Sequence, residues 1–185
     1  MKSTLLIAAA AVAALSFAAV HDGANAADKP KAVTSNKPNA NGTESTEAFV
    51  TGVTLNDMYQ IQAGKIAETK GQSQAVRDLG KMLVADHTDM TVQMKHIFIA
   101  TNTKIPTELG ARGKRMIADL NAAKPADFDK LYLSQQQTTQ AAELALLSAY
   151  AEGGESSDIR PAAAGAVPKI KAHLAKVHEV QVAMK

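Results

Sequence analysis

The sequence predicts an all-α protein, an antiparallel four-helix bundle with a short extra helix in the crossover. Three observations carry this. From about residue 47 onward, apolar residues recur at three- and four-residue steps, the period of a helix with one buried face. Of the 185 residues, 46% are apolar but only 4% aromatic, with many Ala and no Trp; Ala is the best helix former and a poor strand former. Four of the periodic segments are long, about 24 to 29 residues each, and so span roughly 35–45 Å at about 1.5 Å per residue.

Two stretches precede the bundle. Lys2 followed by the apolar run Leu5–Val20 and the small-x-small tripeptide Ala24-Asn25-Ala26 has the form of a secretory signal peptide over residues 1–26, cleaved after Ala26. The run is short for a membrane span, which needs about 20 residues, and no later stretch could cross a bilayer. Export to a periplasm follows, with outer-membrane association as a further expectation. Residues 27–46 are rich in Lys, Pro, Asn, Ser, Thr and Gly and read as a disordered polar tether. Its Lys29, Lys31 and Lys37 are open to two readings, a solvated linker or a weak attraction to an anionic surface.

The bundle occupies residues 47–185. A first helix runs from Glu47 to Lys70 and stops at Gly71, its apolar stripe including Ala48, Leu55, Tyr59, Ala63, Ile66 and Ala67. A second begins near Ser73, a residue suited to the N-cap, and continues to about Thr101, with Val76, Leu79, Leu83, Met90, Met94 and Ile97 on one face. After the break at Asn102–Pro106 a shorter helix covers Glu108–Asn121. The fourth spans Asp127–Glu152, where Phe128, Tyr132, Leu146 and Tyr150 share a face, and ends at Gly153-Gly154. The last follows the capping cluster Ser156-Ser157-Asp158 and carries Ile159, Ala163, Ala166, Ile170, Leu174 and Val177. Pro161 suits its first turn, whereas Pro168 removes an interior hydrogen bond and should kink it. Tight turns within each pair and a crossover between pairs describe the ferritin-like arrangement.

Composition excludes several classes of function. There is no Cys, which removes disulfides, thiolate zinc sites, c-type haem attachment, thiol nucleophiles and lipoprotein-type lipidation. The net charge is +2, from 20 basic and 18 acidic residues, and no basic patch is interleaved with aromatics, which argues against nucleic acid. No Ser-His-Asp set or Gly-rich phosphate loop has a suitable context, so no catalytic residue is assigned.

One set of pieces is more specific. Lys81-Met82-Leu83-Val84-Ala85-Asp86-His87-Thr88, then Ile105-Pro106, then Phe128-Asp129-Lys130-Leu131-Tyr132-Leu133, then Val167-Pro168 with His173-Leu174, in this order and spacing, resembles the bacterial domain-of-unknown-function family 4142. Its members are often labelled exported or outer-membrane proteins. The resemblance covers about Glu47 to Val180 and implies a ferritin-like fold and export, with no established reaction. Members commonly carry an acidic residue where this chain has Gln60 and a histidine where it has Gln140. The resemblance therefore marks both as polar-core positions where a ligand-type side chain has been replaced.

The candidate chemistry lies on core faces. His87 follows Leu83 by four and precedes Met90 by three, on the apolar face of its helix, and Asp86 borders that face. His173 follows Ile170 by three. Gln135, Gln136, Thr139 and Glu143 fall between the apolar ends of the fourth helix. A central polar layer of Asp86, His87, Gln136, Glu143 and His173 follows, open to two readings. In one, Asp86, His87, Glu143 and His173 ligate a divalent metal, as carboxylate and imidazole do between facing helices. In the other, the layer is hydrogen-bonded architecture that fixes helix register and holds no cofactor. Di-iron chemistry is disfavoured, because it uses Glu-x-x-His motifs and about four carboxylates, and no Glu-x-x-His occurs. His96 falls on the solvent side, and Met82, Met90, Met94 and Met116 sit at core spacing. The function expected is that of a non-enzymatic envelope or stress-related protein that binds an envelope protein or the envelope surface, with a metal- or ligand-binding bundle as the alternative.

Overall fold

A computed structural model describes residues 44–184, and the expected signal peptide and most of the expected tether lie outside them. The described residues form five helices: α1 Thr46–Lys70, α2 Gln74–Ala100, α3 Ala111–Ala122, α4 Pro125–Gly153 and α5 Arg160–Ala183. No helix among them is long and apolar enough to cross a membrane.

The ends follow local chemistry. Ser45 and Ser73 cap α1 and α2, their side chains accepting from the amides of Ala48 and Val76. The α1–α2 turn is also clamped from α4, because the buried Asp129 carboxylate accepts from the amides of Gln72 and Ser73, both at 2.8 Å. Pro125 and Pro161 occupy first turns, where a missing amide hydrogen costs nothing. Three expected boundaries shift. Helix α4 starts at Pro125 rather than Asp127. Helix α3 starts at Ala111 rather than Glu108, after Gly110 in an extended conformation. The Ser156–Asp158 cluster forms a turn instead of a side-chain cap: the N-cap is Ile159, and the Ser156 carbonyl accepts from the amides of Ile159 and Arg160. Helix α5 runs on through Pro168.

The long helices pack in a cycle, α1 on α2, α2 on α5, α5 on α4 and α4 on α1, while α3 lies against α1 and α4. Neighbours run antiparallel. Between α1 and α2, Phe49 meets Phe98, Asp57 meets His87, and Gly64 lies beside Gly80. Between α1 and α4, Thr46 pairs with Tyr150, Gln60 with Thr139 and Tyr59 with Gln135. Two apolar cores result. One gathers Ala63, Leu79, Leu83, Leu120, Phe128 and Tyr132, and the other Phe49, Val53, Met94, Phe98, Leu147 and Ile170. Between them every long helix presents polar side chains: Asp57 and Gln60, His87, then Gln136, Thr139, Gln140 and Glu143, and His173, all buried.

The buried stripes are displaced from those expected. On α1 the inner face is Phe49, Val50, Val53, Asp57, Gln60, Ala63, Gly64 and Ala67, while Ala48, Leu55 and Ile66 are only partly buried. Leu147 replaces Leu146 on α4, and His173 replaces Leu174 on α5. On α1 and α5 a polar residue occupies the face that hydrophobicity alone assigns to its neighbours.

Helices α1 and α2 cross closely enough to need glycine. A Cβ on Gly80 would lie 2.7 Å from the Gly64 carbonyl oxygen, and one on Gly64 would lie 2.8 Å from that of Gly80. Gly80→Ala gains about 1 kcal/mol of helix propensity, but the clash is with backbone, so the helices must separate at an overpacking cost of about 1–3 kcal/mol. The variant should unfold at lower urea than the parent; an equal or higher midpoint would show that the crossing has slack.

Candidate metal centre

His87 is fully buried because its helical spacing from Leu83 and Met90 sets it on the inner face of α2. Its Nδ1 lies 2.8 Å from Asp57 Oδ1 on α1. A carboxylate can only accept, so Nδ1 donates and Nε2 presents its lone pair, toward which the Gln140 amide nitrogen on α4 points at 3.1 Å. Asp57 is 2% exposed, and its second oxygen accepts from the Thr91 hydroxyl at 3.1 Å. Glu143, also 2% exposed, accepts from the Asn56 amide through one oxygen, while its Oε1 is buried without a protein partner. Burial, and then the negative charge of Asp57, push the Glu143 carboxyl well above the usual carboxylate range. Asp57, His87 and Glu143 each offer a ligand-type atom, and these atoms lie within 4.8 Å of one another.

The four residues expected from the sequence are thus divided. His87 and Glu143 meet in the interior, where Asp57 joins them. Asp86 and His173 form a second pair at the α2–α5 border: Asp86 Oδ2 lies 2.8 Å from His173 Nε2, and its Oδ1 accepts from Lys169 Nζ at 2.7 Å. Burial opposes the charge of Asp86, but the hydrogen bonds from Lys169 and His173 outweigh it and hold the carboxyl below its ordinary value. Burial also lowers the His173 pKa, assisted by His87 and Lys169 and only partly offset by Asp86. The pairs touch through their imidazoles, whose ring centres lie 5.2 Å apart.

Asp57 is absent from the expected set because the α1 stripe counts only apolar residues. Val50, Val53, Asp57, Gln60 and Gly64 form a run at helical steps, so the polar members were available to the same periodicity. Gln60 and Gln140 are both fully buried in this layer, Gln60 on Thr139 and Gln140 on His87. His96 and His178 are exposed, whereas Met90 and Met94 pack in the core.

Two carboxylates, an imidazole and neutral amides, buried together, are ligand types that could hold a single divalent cation, whose charge the carboxylates would balance. The molecule is of the class of helical proteins with a buried carboxylate–imidazole centre. Residues 31–180 match the family described as Domain of unknown function (DUF4142), and the chain belongs to that family. No curated protein and no solved structure matches it.

Proposed function

We propose that this is an exported, ferritin-like bundle that binds one divalent cation at Asp57, His87 and Glu143. The observation that carries the reading is the convergence of their ligand-type atoms within 4.8 Å inside a buried layer. The buried Glu143 Oε1, without a protein partner, supports it further, since an ionised oxygen so placed is costly until a cation or proton meets it. The closed cycle of antiparallel helices, with α3 between the two pairs, supports the ferritin-like arrangement. Two central carboxylates suit one ion better than a di-iron pair. The signal-peptide pattern of residues 1–26 supports a periplasmic location, and the family labels favour a place at the outer membrane.

The test is elemental analysis of the protein purified from its native compartment, beside His87→Ala. The expected result is near-stoichiometric divalent metal in the parent and loss of it in the variant. A metal-free parent that gains no thermal stability from added Zn²⁺ or Mn²⁺ would reduce the layer to architecture and move the function to the surface, as an envelope interaction protein. A cation at 100 times its Kd should add about 2.7 kcal/mol.

A further inference from the structure

We infer that His173 of α5 supplies an additional ligand to this cation, and that Asp86 is its positioning residue. The inference rests on the cation reading and extends it to the fourth long helix. Asp86 takes Nε2 of His173 at 2.8 Å. A carboxylate on one ring nitrogen fixes the tautomer and leaves the other with a lone pair, the usual arrangement behind a metal-bound histidine. For His173 that other nitrogen is Nδ1, buried and without a protein partner. The ring separation fits a shared ion. Two imidazoles on one tetrahedral cation with bonds of about 2.1 Å hold their centres about 5 Å apart, and His87 and His173 are 5.2 Å apart.

Charge supports the same assignment. Asp57 and Glu143 balance a divalent ion, while Asp86 is already paired with Lys169 at 2.7 Å, so His173 joins as a neutral ligand and adds no buried charge. The cation then draws on all four long helices, with nitrogen from α2 and α5 and oxygen from α1 and α4. Such a mixed set favours a borderline ion such as Zn²⁺ or Co²⁺ over Mg²⁺ or Ca²⁺.

Titration of the purified chain with Co²⁺ alone, followed by visible absorption, tests this. The parent should develop the intense bands of four-coordinate cobalt. His173→Ala, and His173→Gln with closer to the native volume, should lose that intensity and bind about tenfold to a hundredfold more weakly. Asp86→Asn should keep the bands and weaken binding by about tenfold. If both His173 variants keep the parent's bands and affinity while His87→Ala abolishes them, His173 is not a ligand and the three-residue centre stands alone. An Asp86→Asn affinity equal to the parent's would remove the positioning role. A parent that takes up no cobalt overturns both this inference and the cation reading. Helix content by circular dichroism shows which variants are folded, and His173→Gln decides if His173→Ala is not.

Discussion

His87→Ala should lower the stability of the cation-free protein by about 3–5 kcal/mol, the range for leaving a buried charge uncompensated by removing its partner. Two effects combine. The imidazole is fully buried between α1, α4 and α5, so truncation leaves a cavity that the packed layer can only partly close. The larger effect is on Asp57. Its carboxylate is 2% exposed and loses its donor at 2.8 Å, keeping only the Thr91 hydroxyl. A double variant, Asp57→Ala with His87→Ala, should therefore be less destabilised than the sum of the two single changes, since the stranded charge leaves with its partner. Urea midpoints in chelator check this. Additive effects would mean that the pair is not coupled and that His87 contributes by volume alone.

Glu143→Gln should act in the opposite direction. Burial and the neighbouring Asp57 raise the Glu143 pKa well above its ordinary value of 4.5. The unfolded chain releases this proton near its ordinary pKa, while the folded chain holds it to higher pH. Below the ordinary pKa both states are protonated and the group has no effect. Above it the folded state binds more protons, so stability falls as pH rises toward the folded pKa. The amide of the variant keeps the volume and an acceptor for Asn56 without the ionisable proton. The cation-free variant should be more stable at pH 8 by about 1–4 kcal/mol and show a flatter profile from pH 5 to 8. With Zn²⁺ added the order should reverse, because the parent gains a ligand the variant lacks. Thermal melts at pH 5 and pH 8, with chelator and with Zn²⁺, check both halves. Equal pH slopes in parent and variant would show that Glu143 carries no such burden.

Much of the helical framework was legible because it rests on local signals. Ser73 caps, Gly71 and Gly154 stop and Pro161 starts, and each acts within one turn of its own position. The central polar layer was legible too, through His87, Gln136, Glu143 and His173 on otherwise apolar faces. Which members converge was not. Asp86 and His87 are adjacent, yet a step of about 100° around the helix turns one toward α5 and Lys169 and the other toward α1. Asp57 stayed hidden because an acid on an inner face registers in hydrophobic periodicity only as a gap. Its partner is 30 residues away, a pairing set by the glycine crossing at Gly64 and Gly80 and by nothing near Asp57 itself.

The backbone clip at Glu44 has a mechanical consequence. Its amide donates to the Gly153 carbonyl and its carbonyl accepts from the Glu155 amide, both at 3.0 Å, so the chain enters the bundle beside the α4–α5 turn. Helix α5 ends at the opposite pole, where Val177 and Val180 pack with Val76 and Leu79. A pull between these two points runs along the bundle axis. It loads the helix interfaces in shear, many contacts at once, where a pull on two ends at one pole would peel the helices apart in sequence. Under such an axial pull the bundle would bear tension as one body, and the clip would be the first link to give.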